Sequence, residues 1–302
     1  MLRASIDIGS NSVLLLVLDY ESDSSFRELE DCSHITSLGR ELDKTGVFHK
    51  ESMADTLIAL NEYKDILNKH NLRAQDCLVT ATEASRVAKN AKEFFKKIKN
   101  EIGFEIKIIS GEGEAYYTAK GASLGAKSEE YVIMDIGGAS TEFIKVKHTP
   151  FEIKKSISIP IGAVRAQEWL SEGIFEEKTN LPFSEDIKAQ YKTDELVCVA
   201  GCMTSIGAMF KGLKVFDPSV VNNLELTTAE FENFIHKYIG RNAQEILEEF
   251  PFLGKRAKVM NGGEASASLF VKGLGVKKLI MSTYGLRYGT AVSGEIDERF
   301  LK

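Results

Sequence analysis

The stretch Ile6-Asp7-Ile8-Gly9-Ser10-Asn11-Ser12 returns in the second half of the chain as Met134-Asp135-Ile136-Gly137-Gly138-Ala139-Ser140. In both places a β-rich run enters an Asp-Ile-Gly turn and a second run leaves it, residues 13–18 in one copy and 141–146 in the other. The echo predicts a duplicated hairpin, and therefore a diverged duplication of a whole unit. A length of 302 residues agrees, because a single core tends to split into two near that size.

Between the copies, strand-like and helix-like segments alternate at 77–81, 91–100, 105–109 and 113–124, the rhythm of an α/β domain. The small, polar stretch 125–130 is the predicted boundary, with a hinge near Ala126 and domains at 1–126 and 127–302. The second half predicts strands at 131–135, 141–146, 152–159 and 196–200, then mostly helical patterns. Its Val199-Ala200-Gly201-Cys202-Met203-Thr204-Ser205 turn opens a predicted helix over 203–211.

A Gly/Ser turn between strands lets backbone N–H groups approach phosphate oxygens without Cβ obstruction, and hydroxyls add donors. Ser10, Asn11 and Ser12 supply this in one copy, and Gly137, Gly138 and Ser140 in the other. An Asp-Gly turn alone is an ordinary hairpin device; two matched copies point to function. The Asp opening each turn, Asp7 and Asp135, suits a hard divalent cation, since Mg²⁺ takes one or two carboxylates with phosphate oxygens and water. Two further segments sit where an α/β sheet presents ligands: Thr80-Ala81-Thr82-Glu83-Ala84-Ser85-Arg86, and Ser110-Gly111-Glu112-Gly113-Glu114-Ala115 leading into a helix. There Arg86 can neutralise a transferring phosphoryl group and Glu114 can orient an attacking water or take its proton.

Charge and cysteine usage narrow the classes. A net charge of −6 and a pI near 5.6 leave no global basic footprint for duplex nucleic acid, so any anion site must be local. Cys32, Cys77, Cys198 and Cys202 lie in apolar or mixed segments, which fits reduced thiols in core positions. The Cys198/Cys202 pair lacks a second Cys/His pair that would complete a zinc site. The chain opens directly into a patterned strand without the order of a secretion signal, and the 13–18 apolar run is too short to span a bilayer. The expectation is a cytoplasmic protein with no membrane partner. Lys89, Lys92, Lys96, Lys97 and Lys99 read as a solvated helix face that could also track a polyanion. Lys211, Lys214, Lys255, Arg256 and Lys258 are a second such set.

Taken in order, Asp7-Ile8-Gly9-Ser10-Asn11-Ser12, Ala81-Thr82-Glu83-Ala84-Ser85-Arg86, Ser110-Gly111-Glu112-Gly113-Glu114-Ala115, Asp135-Ile136-Gly137-Gly138-Ala139-Ser140, Ile159-Pro160-Ile161-Gly162-Ala163 and Gly285-Leu286-Arg287-Tyr288-Gly289 resemble the exopolyphosphatase/guanosine pentaphosphate phosphatase family over nearly the whole chain. The resemblance implies an α/β fold of two duplicated actin-like, ribonuclease H-like domains with a cleft between them. It implies Mg²⁺-dependent hydrolysis of terminal phosphates from polyphosphate, or from the 5′ end of guanosine pentaphosphate. By the same matching, Glu114 is the catalytic glutamate, Asp135 holds metal or orients water, and Arg86 contacts the phosphate chain, the three forming the catalytic set. Asp7, Asp135 and Glu114 hold metal, and Ser10, Asn11, Ser12, Gly137, Gly138, Ser140, Gly201 and Thr204 bind phosphate. Polyphosphate or guanosine pentaphosphate and tetraphosphate are the implied ligands, with a homodimer left open. The helical C-terminal extensions of longer family members have no counterpart in this sequence.

The chain departs from the family pattern at several points. Gly113 replaces an acidic residue, Tyr116 a small or basic one, Leu14 an Arg, and Tyr288 the acidic neighbour of Arg287. Gly201-Cys202-Met203-Thr204 stands for a Gly-Gly-Thr turn, where the bulk of Met203 is expected to obstruct phosphate. Two other readings stay open. One is kinase-type transfer to a small acceptor; the other is a catalytically weakened sensor that binds guanosine pentaphosphate, tetraphosphate or polyphosphate and responds by domain closure.

Overall fold

A computed structural model describes residues 1–302. The chain forms two compact units, the first from residues 1–124 and 285–302, the second from 125–284. In the first, β1 (Leu2–Ile8), β2 (Ser12–Ser22), β3 (Ser25–Ile35), β4 (Cys77–Ala81) and β5 (Ile106–Ile108) form a sheet in the order β3-β2-β1-β4-β5. In the second, β6 (Glu130–Ile136), β7 (Thr141–Lys147), β8 (Glu152–Ile159), β9 (Glu195–Val199), β10 (Glu225–Thr227) and β11 (Lys278–Met281) run β10-β11-β9-β6-β7-β8. Taken from its other edge, β8-β7-β6-β9-β11 repeats the first sheet strand for strand. Each is an antiparallel meander of three followed by two parallel strands. This is the duplicated actin-like arrangement that the sequence resemblance implies.

The patterns explain why these segments pair as they do. Along β6, Tyr131, Val132, Ile133 and Met134 are all buried, as expected of a central strand covered on both faces. Ala4, Ile6 and Ile8 of β1 enter the core of the first unit, which Tyr63, Phe94, Phe95 and Phe104 complete. The Ala91–Glu101 helix buries Ala91, Phe94, Phe95 and Ile98 at helical spacing. Lys92, Lys96, Lys97 and Lys99 are exposed on it, with Lys97 facing Glu101 and Lys99 facing Glu105. The lysines therefore form the solvated face. No helix is long and apolar enough to cross a membrane.

The predicted division at Ala126 needs correction. The first unit ends at Leu124, and the segment Gly285–Lys302, expected in the second domain, belongs to the first. Long-range contacts cause this. The Arg3 guanidinium donates to the carbonyls of Ala291 and Val292, and Ser5 Oγ donates to the Arg287 carbonyl at 2.7 Å. The Leu286–Ser293 helix also lies backbone to backbone against the Gly111–Ser123 helix. A Cβ on Gly289 would collide with the Tyr117 carbonyl, and one on Gly121 with that of Gly285. Bonds between residues so far apart in sequence leave no periodic trace.

Candidate active site

In the first unit the sequence-predicted residues gather at the carboxyl ends of the parallel strands. β1 and β4 pair in parallel with Asp7 beside Thr80 and Ile8 beside Ala81. Asp7 is the penultimate residue of β1, after which Gly9 donates its N–H to the Ser12 carbonyl at 2.9 Å and closes the turn. Ser10 is buried against Gly39, and the Asn11 carbonyl accepts from Thr36 and Ser37 at 3.0 Å each, so the turn is braced from behind.

β4 leads into the Glu83–Val87 turn of helix, and β5 into the Gly111–Ser123 helix, whose N-cap Ser110 accepts from the Gly113 N–H at 3.1 Å. One turn in, Glu114 meets Arg86 at 2.8 Å, with side chains only 11% and 8% exposed. Arg86 also pairs with Glu83 at 2.9 Å and donates to the Ile109 carbonyl at 3.0 Å. Burial pushes the Glu114 pKa above the usual carboxylate range, against the opposing pull of Arg86. A carboxylate in this setting, at a helix N-terminus, can hold and deprotonate a water. Its close guanidinium, however, makes it a poor ligand for a second cation, so the geometry argues against Glu114 as a metal ligand.

In the second unit the same turn recurs, with Gly137 donating to the Ser140 carbonyl at 2.9 Å. The Gly137 N–H is thereby committed, and its part in a phosphate cradle reduces to shaping the turn. Gly138 lies under Gly162, whose missing Cβ would sit 2.6 Å from the Gly138 carbonyl carbon, and its own carbonyl accepts from Val164 at 2.8 Å. Arg165 donates to the Ala139 carbonyl. The Ile159–Ala163 motif is thus the seat on which the turn rests.

Sequence reasoning passed over Glu142. It stands directly opposite Asp135 in the β6–β7 pairing, so the two carboxylates share one sheet face. Glu142 is 2% exposed and accepts from Ser140 Oγ at 2.8 Å and Ser158 Oγ at 2.6 Å. The first unit has Leu14 at the matching place opposite Asp7. The available signal was the Ser140-Thr141-Glu142 run itself, which puts a carboxylate in the buried first half of a strand whose other charges, Lys145 and Lys147, come later. Neither unit gathers three His, Cys, Asp or Glu side chains into a metal cage. A pair of like-charged neighbours with hydroxyl support does fit Mg²⁺, which keeps waters and completes its shell with substrate oxygens.

Three expectations at β9 change. Met203 is fully buried in the core of the second unit and obstructs nothing at the surface of the turn. Thr204 turns its hydroxyl back along the helix to the Ala200 carbonyl at 3.1 Å, which removes that donor from any phosphate. Gly201 earns its place otherwise: a Cβ there would lie 2.6 Å from the Arg256 guanidinium, which also donates to Ser205 Oγ at 3.0 Å. Arg256 is thereby carried to this turn. Ala200 takes a φ of 68°, a left-handed conformation costing roughly 1 kcal/mol in an L-residue. Arg287 and Tyr288 lie in the first unit, where Asp31 pairs with Arg287 at 2.8 Å.

Comparison with known proteins shows the family and the fold. A family model described as the Ppx/GppA phosphatase family matches residues 17–297. The chain is 28% identical to exopolyphosphatase 2 of Mycobacterium tuberculosis over 96% of its own length and 97% of that protein. It is 31% identical to a bifunctional 3-dehydroquinate synthase/phosphatase of Fusobacterium nucleatum over 87% of its length, and spans 42% of that longer protein. Among solved structures, the Aquifex aeolicus member of the Ppx/GppA family superposes with a TM-score of 0.75 at 30% identity, covering 97% of both chains.

Proposed function

The chain belongs to the Ppx/GppA phosphatase family, and from that premise we propose that it is a divalent-metal-dependent phosphohydrolase releasing terminal orthophosphate from inorganic polyphosphate. The observation that carries the proposal is the buried Arg86–Glu114 pair at the start of the Gly111–Ser123 helix. The near end-to-end match to a mycobacterial exopolyphosphatase supports polyphosphate as the substrate.

In this reading Glu114 accepts a proton from water as the water attacks the terminal phosphorus in line, and the shortened chain leaves with the bridging oxygen. Arg86 fixes the carboxylate in place and lowers the cost of holding it charged. Ser10, Asn11 and Ser12 in one unit, and the backbone of the Gly138–Ser140 turn in the other, are the phosphate-binding turns, while Gly201 makes room for Arg256 at a third turn. Asp135 and Glu142 would hold Mg²⁺, with Asp7 the corresponding carboxylate of the first unit. The ion would supply neutralisation of the charge on the phosphoryl oxygens.

The test is phosphate release with Mg²⁺ from long-chain polyphosphate and guanosine pentaphosphate in parallel, by wild type and Glu114→Gln. The substitution is expected to cut turnover by roughly two to four orders of magnitude with substrate binding kept. Equal loss of binding and turnover would make Glu114 structural, and faster release from the nucleotide would overturn the substrate.

A further inference from the structure

Gly113 stands one residue before the general base, where the family pattern has an acidic side chain, and the structure shows what occupies the space. A Cβ on Gly113 would lie 2.7 Å from Phe300 Cβ and 3.1 Å from its Cγ. Phe300 is 8% exposed, with its ring centroid 5.0 Å from that of Tyr116 and 5.8 Å from that of Tyr117. Both tyrosines lie on the helix that carries Glu114.

The backbone of the same segment is tied to the same turn. The Ser110 N–H donates to the Phe300 carbonyl at 2.7 Å, and Ile109 and Leu301 form an antiparallel bridge. Lys302 donates to the Ile108 carbonyl at 3.0 Å. Further back, the Asp297 N–H donates to the Tyr117 hydroxyl at 2.9 Å. Ile109 is also the residue whose carbonyl receives Arg86, and whose N–H donates to Ala81 at 3.0 Å. One short segment therefore grips the residues that set both members of the Arg86–Glu114 pair.

We propose that Asp297–Lys302 positions the general base of this chain, with Phe300 as the positioning residue and Gly113 as the gap that admits it. This rests on Glu114 being the base. Because a packed interior transmits displacement rather than absorbing it, removing the ring lets the N-terminal turn of the Gly111–Ser123 helix move and carries Glu114 off its line to the attacking water.

The experiment compares wild type with Phe300→Ala, Phe300→Leu and Gly113→Ala for kcat and KM on polyphosphate with Mg²⁺, and for amide hydrogen exchange at Ser110 and Glu114. Phe300→Ala is expected to lower kcat about tenfold or more with KM within about threefold. Phe300→Leu should restore most of the loss, and Gly113→Ala should reproduce it by pressing on the same contact. Faster exchange at Ser110 and Glu114, with the Lys50–Lys69 helix unchanged, should accompany the fall. A folded Phe300→Ala protein with wild-type kcat overturns the inference, as does loss of kcat and KM together that Phe300→Leu leaves unrepaired. If wild type releases no phosphate, the functional reading fails separately. The exchange then still decides the grip: unchanged Ser110 and Glu114 amides in Phe300→Ala refute it.

Discussion

Two buried carboxyl groups set the response to pH. In the proposed mechanism Glu114 must be ionised to take a proton, and burial raises its pKa while Arg86 opposes the rise. The acid limb of kcat is therefore expected above the usual glutamate range. Arg86→Gln removes the opposing charge and should move that limb to still higher pH, which a pH–rate profile measures directly. Glu264 is the second group. It is fully buried on the Met260–Leu274 helix of the second unit with both carboxylate oxygens unpartnered, and burial lifts its pKa to about 8. Its neighbour Cys202, held up by its own burial and then by Glu264, stands at about 12. Since the folded state holds the Glu264 proton more tightly than the unfolded one, stability falls as pH rises from the ordinary glutamate range to about 8, by roughly 1.4 kcal/mol per pH unit. Glu264→Gln should flatten that slope in urea unfolding measured from pH 5 to 9. An unchanged slope would mean that Glu264 finds a partner in the folded protein. At this scale the sequence was legible in singling out Glu114 and Arg86, two distant residues whose side chains meet in the structure. It was not legible where a hydrogen bond decides the role: Gly137 and Thr204 have the right groups, but a turn and a helix already use them. Met203 misled because bulk is visible in a sequence and direction is not.

The elements were readable in proportion to their apolar periodicity. The strands at 77–81 and 152–159 fall where the pattern put them, because each alternates or buries steadily. β3 and β11 were hidden for opposite reasons. β3 is an edge strand whose Ser-Phe-Arg-Glu-Leu-Glu-Asp run is half charged, while β11 is only Lys278–Met281, too short to show a period amid helices. The crossing of the Gly111–Ser123 and Leu286–Ser293 helices is likewise invisible in either helix alone. It requires bare backbone on both sides, which yields a prediction: Gly289→Ala should destabilise the first unit by about 1–3 kcal/mol through overpacking, read from the urea midpoint. An exposed glycine such as Gly173, with nothing near its Cβ position, makes a control for overpacking, although its φ of 73° carries a smaller strain of its own.

Across the whole molecule, the duplication was the most legible feature and the division of the chain the least. Residues 125–284 are continuous and carry their own core, whereas the first unit is assembled from two separate pieces of sequence. A fragment of residues 1–124 is accordingly expected to melt without a cooperative transition. The same fragment joined by a flexible linker to 285–302 should regain one, and circular dichroism melts of the two would tell them apart. The fragment 125–284 should fold unaided. The order in which the pieces emerge during synthesis gives the discontinuity a further meaning. Ser110 reaches its partner Phe300 only after the entire second unit has been translated, a delay on the order of ten seconds or more at ribosomal speed. The turn that carries Glu114 therefore acquires its Phe300 support only after the second unit has had time to fold, and a chain cut short before residue 300 lacks that support altogether.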